Sequence, residues 1–161
     1  PGDGTIFRVY LPECDAPVES LPPEATLASP TAGKGRVMLV DDETAITTAA
    51  RVVLKRKGFE VQVFNDSLEA LEALEADPDA MDLLVCDYTM PKLNGLDLAR
   101  KVIALRPELP IVMATGVIDS DEMETARSEG IREILKKPFR MEVLLEVVTR
   151  HLQPETDTQV K

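Results

Sequence analysis

The segment DLLVCDYTMPKLNG (82–95) contains an apolar run that ends on Asp87, then a loop, then the start of an amphipathic stretch at Gly95. A run that is almost entirely apolar is typical of a strand covered on both faces of a parallel sheet. A loop that leads from such a strand into a helix is one unit of an alternating α/β fold. The segment therefore predicts a buried parallel strand with a carboxylate at its carboxyl end.

Three other apolar runs also end on polar groups: VMLVDD (37–42), PIVMAT (110–115) and REILKKP (132–138). The carboxyl ends of parallel strands lie along one edge of an open sheet, and ligands bind at that edge. The polar groups should therefore converge beside Asp87. Three carboxylates, a hydroxyl and an ammonium suit a divalent cation and a phosphoryl group. The residues that would supply them are Asp41, Asp42, Asp87, Thr115 and Lys137.

Apolar runs and amphipathic segments alternate throughout residues 36–152 and predict five strand–helix pairs. Short connections between them indicate a parallel sheet wound by right-handed crossovers. Five strands on this plan match the flavodoxin-like (βα)5 three-layer sandwich, an α/β fold with strand order 2-1-3-4-5. The predicted strands cover about 36–41, 59–64, 82–87, 110–115 and 131–136, and the predicted helices begin near residues 44, 66, 95, 119 and 139.

The sequence also predicts details of several elements. Helix one is expected to have Thr44 as its N-cap and to end at Gly58, and the sole histidine, His151, is expected to face solvent or to cap the last helix. Cys86 is expected to be a small buried residue. The predicted buried faces are Ile46, Ala49, Ala50, Val53 and Leu54 in helix one, and Leu98, Val102 and Leu105 in helix three.

Composition excludes several classes of partner. The 161 residues carry a formal net charge of -11, and the densest basic run is KRK at 55–57, so a nucleic-acid surface is not expected. No apolar run is long enough to span a bilayer, so no direct membrane contact is expected. The two cysteines, Cys14 and Cys86, do not form a disulfide framework, which favours a cytoplasmic setting. The chain begins with Pro1, which indicates a piece of a longer protein.

The chain divides into three parts. Residues 1–34 hold six of the 12 prolines and predict an irregular linker. Residues 35–152 form the predicted domain. Residues 153–161 (QPETDTQVK) predict a flexible tail.

Residues 36–152 resemble a response-regulator receiver domain of the chemotaxis-receiver type. The resemblance rests on four pieces: VMLVDDE, VCDYTMPKLNG, PIVMATG and LKKPF. It implies that Asp87 accepts a phosphoryl group from a phosphohistidine. It also implies that Thr115 and Lys137 contact that group, and that a cis bond joins Lys137 to Pro138. The Mg²⁺ ligands that it implies are Asp41, Asp42, Asp87 and the backbone carbonyl of Thr89.

The chemistry of the residues agrees with this role. A carboxylate is a weak nucleophile, but it suffices against a phosphoryl group on a good leaving group. Phosphoryl transfer needs mainly in-line positioning and neutralisation of charge. Mg²⁺ prefers oxygen ligands and keeps several waters, so two or three protein oxygens are enough to hold it.

The opening stretch GDGTIFRVYLP (2–12) resembles the last glycine box and final strand of a histidine-kinase ATP-binding domain. Together with the receiver, it implies the C-terminal part of a bacterial hybrid sensor histidine kinase, which would be membrane-anchored elsewhere in the parent chain. The expected partners are the phosphohistidine domain of that kinase and a downstream histidine phosphotransfer protein. The expected output is phosphorelay or control of the kinase.

Two alternatives stay open: a degenerate receiver that serves only as an interaction module, and an aspartyl-phosphate phosphatase. The phosphatase interpretation would need a second aspartate two residues after Asp87, where Thr89 stands. Ile134 occupies a position that is aromatic in many receivers, so the usual relay between threonine and aromatic residue is in question. Neither Thr89 nor Val117 offers a carboxylate or amide to position water, which predicts slow to moderate self-dephosphorylation.

Overall fold

The computed structural model describes residues 35–116 and 120–153, which form five alternating strands and helices. The predicted linker at 1–34, the resemblance at 2–12, Val117 and nearly all of the predicted tail lie outside the described residues. The elements are β1 (Arg36–Val40), α1 (Thr44–Arg56), β2 (Glu60–Phe64), α2 (Ser67–Ala76), β3 (Leu83–Asp87), α3 (Gly95–Leu105), β4 (Ile111–Thr115), α4 (Ser120–Ser128), β5 (Glu133–Lys136) and α5 (Met141–Leu152).

The five strands form one parallel sheet in the order β2-β1-β3-β4-β5, which confirms the predicted flavodoxin-like topology. The register brings the functional ends into line. Val40 pairs with Cys86, so Asp41 and Asp87 follow at the same level. Thr115 pairs with Lys136, so Lys137 follows one step beyond. Within the described part of the chain, none of the helices is both long enough and apolar enough to cross a bilayer.

Two apolar clusters cover the two faces of the sheet. Successive side chains of a strand point to opposite faces, so alternate residues of β1 and β3 enter different clusters. One cluster receives Met38, Val40, Leu84 and Cys86 and packs against α2 and α3. The other packs against α1 and α5 and receives Val37, Leu39, Leu83 and Val85. Helices therefore lie on both faces, and the three-layer sandwich follows.

The start of α1 differs from the prediction. Its N-cap is Glu43, without a side-chain capping bond, and Thr44 is the first helical residue. The carboxylate of Asp41 receives the backbone N–H of Glu43 instead, at 2.8 Å from Oδ1. Asp41 therefore helps to fix the backbone of the acidic loop that leads from β1 into α1. The predicted end at Gly58 is confirmed by its φ of 93°.

The buried faces of two helices were predicted only in part. In α1 the buried residues are Thr47, Ala50 and Leu54, while Ala49 is exposed. Neighbouring positions lie about 100° apart around a helix, so the face that holds Ala50 excludes Ala49. In α3, Leu105 is 44% exposed because it is the last helical residue.

The solvent-facing position that was one of two alternatives for His151 is wrong, while the residue does lie in the last turn of α5. Its Nε2 lies 3.0 Å from Oε2 of Glu133 in β5, and its side chain is half-buried rather than solvent-facing. Cys86 is fully buried, as predicted, and burial raises the pKa of its thiol to about 12. Ile134 is partly buried against the cluster that contains Cys86.

Candidate functional site

The predicted site residues come from the carboxyl ends of four neighbouring strands. Asp41 directly follows β1, Asp87 and Thr115 are the last residues of β3 and β4, and Lys137 follows β5. Asp41 and Asp87 are each 6% exposed and Thr115 is 1% exposed. Buried polar side chains at a sheet edge are costly unless they have partners, so their arrangement decides what the site can do.

Lys137 joins two of the carboxylates. Its Nζ lies 2.7 Å from Oδ2 of Asp41 and 3.1 Å from Oδ1 of Asp87. Oε1 of Glu43 lies farther away, at 3.7 Å. Burial lowers the pKa of Lys137, but the hydrogen bonds to Asp41 and Asp87 and their charges outweigh it, so the pKa is raised above its usual value. Lys137 is therefore protonated within the site.

The ionised carboxylate of Asp87 is less well stabilised by its surroundings than the ammonium of Lys137. Burial raises its pKa, and the charge of Asp41 raises it further. The hydrogen bond and charge of Lys137 oppose this shift without cancelling it. The ionised form of Asp87 is therefore incompletely compensated by the protein itself.

Asp41, Asp42 and Asp87 form a group that fits a divalent cation. One carboxylate oxygen from each lies within 4.8 Å of the other two, and Asp42 is exposed to solvent. Opposite ligands of an octahedral Mg²⁺ are separated by about 4.2 Å, so this spacing is close to what the ion needs. Three carboxylates face one ammonium, which leaves an excess of negative charge that a divalent cation balances.

The loop after Asp87 is held very close to the strand. Gly95 begins α3 and donates its N–H to the carbonyl of Tyr88 at 2.9 Å. A Cβ built on Gly95 would lie 2.1 Å from the carbonyl oxygen of Asp87. Only glycine fits such an approach. Thr89, the predicted carbonyl ligand, is an exposed residue of this loop, two positions after Asp87, and its role stays a prediction.

Thr115 is fixed from the neighbouring strand. Its carbonyl accepts the backbone N–H of Lys137 at 2.6 Å, so the two residues hold each other in place at the sheet edge. The Lys137–Pro138 bond is cis, as the resemblance implied. The geometry brings Asp41, Asp42, Asp87 and Lys137 into one cluster and places Thr115 beside it.

Sequence reasoning missed two residues of this region. Glu43 is the third acidic residue of the first loop and reaches Lys137. Asn65 follows β2 and donates from Nδ2 to the carbonyl of Asp41 at 2.6 Å. Asn65 follows a strand, as the predicted site residues do. The strand before it alternates in polarity, however, and therefore lacks the apolar run that marked the other strand ends.

Comparison with known proteins agrees with this geometry. The family model of the response regulator receiver domain matches residues 37–149, so the chain belongs to that family. The family consists of signal receivers of two-component systems, in which a phosphoacceptor role is general.

Two curated relatives differ in length and kind. Response regulator MprA of Mycobacterium avium is 34% identical over 128 residues, which cover 77% of this chain and 55% of that protein. Sensor kinase CckA of Brucella abortus is 27% identical over 161 residues, which cover 96% of this chain and 17% of that protein. The chain thus spans about half of MprA and a small part of CckA.

Solved structures of receivers superimpose on most of the described domain. A response regulator receiver domain protein from Clostridium thermocellum matches with a TM-score of 0.69 and 28% identity, covering 74% of this chain and 94% of that one. A CheY-like receiver from Methanospirillum hungatei matches with a TM-score of 0.68 and 28% identity, covering 73% and 92%.

Proposed function

We propose that Asp87 accepts a phosphoryl group from a phosphohistidine, with Mg²⁺ held by Asp41, Asp42, Asp87 and the backbone carbonyl of Thr89. The observation that carries this proposal is the contact of the half-buried Lys137 ammonium with the buried carboxylates of Asp41 and Asp87, with Asp42 at the solvent side. A purely structural ion pair would not need three carboxylates around one ammonium.

Transfer would proceed by attack of an Asp87 carboxylate oxygen on phosphorus. The P–N bond to the donor imidazole breaks, its electron pair stays on the imidazole, and a mixed anhydride forms on Asp87. Bound Mg²⁺ would supply positive charge to the transferred oxygens. Lys137 would exchange its contact with Asp87 for one with the phosphoryl oxygens, and the hydroxyl of Thr115 would donate to another of them.

For the parent chain we propose a bacterial hybrid sensor histidine kinase whose receiver domain lies in the cytoplasm. The alignment with sensor kinase CckA covers 96% of this chain, so it must include most of residues 1–34, which the receiver family model does not reach. A response regulator such as MprA is the competing context. It has less support, because the alignment with MprA covers only 77% of this chain. The proposed partners are the kinase's phosphohistidine domain and a downstream histidine phosphotransfer protein.

The acceptor role is tested with acetyl phosphate and Mg²⁺. Intact mass should rise by one phosphoryl group in the wild type and stay unchanged in Asp87→Asn. Asp82→Asn is a matched control, because Asp82 pairs with Arg36 next to the start of β3, away from the site. An unmodified wild type contradicts the proposal and favours the interaction-module alternative. A labelled Asp87→Asn contradicts the assignment of Asp87 as the acceptor. Steady turnover of a generic phosphate ester would favour a phosphatase.

The lifetime of the product follows from the same experiment. After the donor is removed, the phosphorylated mass should decay over minutes or longer, because neither Thr89 nor Val117 can position an attacking water through a carboxylate or amide. A half-life of a few seconds would contradict this. The context is tested by reading the gene upstream of residue 1, where a kinase catalytic domain is expected.

A further inference from the structure

The turn between β2 and α2 supplies no group to the cation site, yet it contacts both loops that do. On one side, Asn65 donates from Nδ2 to the carbonyl of Asp41 at 2.6 Å and to the hydroxyl of Thr47 at 3.2 Å. The Thr47 hydroxyl itself donates to the carbonyl of Thr44 at 3.1 Å. One amide therefore ties the end of β1 to the first turn of α1, and Asp42 lies between these two points.

The next two residues of the turn contact the other loop. The ammonium of Lys92 contacts the carboxylate of Asp66. The hydroxyl of Ser67, which is 1% exposed, donates to the carbonyl of Pro91 at 3.3 Å. Both contacts are made to the loop that begins after Asp87 and includes Thr89.

The loop that begins after Asp87 needs contacts that hold its backbone in place. Lys92 has a φ of 66°, in the left-handed region that favours glycine, and it is the one non-glycine residue of the described chain with a positive φ. Strained conformations persist where the surroundings fix them. Ser67 holds the carbonyl of Pro91, directly before Lys92, and Asp66 holds the end of the Lys92 side chain.

We infer that residues 65–67 are a positioning element that sets the Mg²⁺ affinity of the site by holding its two ligand-bearing loops at a fixed separation. The inference rests on the proposed Mg²⁺ site. Mg²⁺ requires near-ideal octahedral geometry, so small displacements of a ligand weaken its binding. Groups that hold metal ligands in place typically change affinity by about tenfold or more when removed.

The expected effects differ between the two sides. A neutral hydrogen bond contributes a net effect equivalent to about fivefold in a binding constant, so Asn65→Ala should raise the Kd for Mg²⁺ about fivefold. The ion pair of Lys92 with Asp66 is more exposed to solvent than the hydrogen bonds of Asn65, and exposed ion pairs contribute less free energy. Lys92→Ala should therefore raise the Kd for Mg²⁺ about twofold. Because the two substitutions act on different loops, their effects should multiply to about tenfold in the double variant.

The test is calorimetric titration of the receiver with MgCl₂ alone. Wild type, Asn65→Ala, Lys92→Ala and the double variant are compared with Arg100→Ala. Arg100 pairs with Asp97 and Glu129 and contacts neither loop, so its removal deletes a comparable ion pair and should leave Kd unchanged. Lys92→Arg keeps the charge and should recover most of the lost affinity.

A second measurement separates positioning from loss of structure. With acetyl phosphate as donor, the Mg²⁺ concentration for half-maximal phosphorylation should rise in Asn65→Ala by more than the rate at saturating Mg²⁺ falls. Urea unfolding in EDTA should show a folded protein for every variant.

The outcomes are distinguishable. If the wild type binds Mg²⁺ but the double variant binds within twofold of it, the positioning role is wrong and the proposed function stands. If Arg100→Ala weakens binding as much as Asn65→Ala, the positioning role is likewise wrong. If the wild type neither binds Mg²⁺ nor is phosphorylated, the proposed function itself is wrong.

Discussion

Replacement of Gly95 by alanine should damage both the stability and the site, for a purely steric reason. The added Cβ would lie 2.1 Å from the carbonyl oxygen of Asp87 and 3.0 Å from Cα of Tyr88. Cβ atoms in proteins essentially never approach a heavy atom closer than 3.0 Å, so the two backbones must separate by roughly 1 Å. Neither neighbour is a flexible side chain: one is the backbone of a central strand and the other the start of its loop.

The size of the effect follows from two opposing terms. Inserting a methyl group into packed backbone costs about 1–3 kcal/mol or somewhat more. Alanine lowers the entropy of the unfolded chain relative to glycine and returns about 0.4–1 kcal/mol. Because the contacted atoms are backbone and cannot turn aside, the upper end of the first range applies. We expect a net loss of about 2 kcal/mol in the free energy of unfolding, or roughly 8 °C in Tm for a domain of this size.

The assay is urea unfolding followed by circular dichroism, with Gly116→Ala as the matched control. A Cβ on Gly116 meets nothing within 4 Å, and that glycine also lies just after a strand, so the control should stay within about 0.5 kcal/mol of wild type. The steric reasoning is refuted if Gly95→Ala is as stable as Gly116→Ala. Because the shift reaches Asp87, Gly95→Ala should also be phosphorylated more slowly by acetyl phosphate.

Three further predictions concern titration and reactivity. Asp87 has a raised pKa in the folded state, so its ionisation destabilises the fold above the unfolded pKa of about 3.9. Asp87→Asn in EDTA should therefore be more stable than the wild type at pH 7 in urea unfolding, and a difference that persists at pH 3 would contradict this. Asp82 has a lowered pKa because Arg36 hydrogen-bonds to it, so its contribution is present above about pH 3.9 and is lost as the pH falls through the folded pKa. Both side chains are partly exposed, so Asp82→Asn should cost under about 1 kcal/mol at pH 7 in urea unfolding, and an equal cost at pH 2 would contradict the assignment. In a Cys14→Ser variant, Cys86 should not react with a disulfide reagent at pH 8 until the protein is unfolded, since its pKa is about 12 and it is fully buried; rapid reaction of the native protein would refute this.

The elements that the sequence predicted well are those whose pattern is local. The apolar runs that end at Asp87 and Thr115 are fully buried strands, because a central parallel strand needs apolar side chains on both faces. The end of helix one at Gly58 was predictable because a left-handed turn favours glycine. Boundaries elsewhere agree to within a residue or two.

The errors concern residues whose side-chain partners the apolar pattern does not specify. Thr44 was expected to cap its helix, but the Asp41 carboxylate takes the N–H of Glu43. His151 was expected to face solvent or to cap the last helix, but Glu133, 18 residues earlier, lies beside it. The first contact is local, since Asp41 and Glu43 are two residues apart, but the apolar pattern does not show which side chain takes that N–H. The second contact joins α5 to β5 and leaves no mark in the local pattern.

The strand order was predicted from the match to the known flavodoxin-like plan. The sequence by itself determined the fold class and the identity of the groups at the sheet edge. Those properties depend on hydrophobic periodicity and on residue type at strand ends, which are local. Only the tertiary structure decided how the groups meet: the contacts of Lys137 with Asp41 and Asp87, the approach of Gly95 to Asp87, and the support from Asn65. These contacts join different strand–helix units, and their distances follow from side-chain packing between units, which no periodicity encodes.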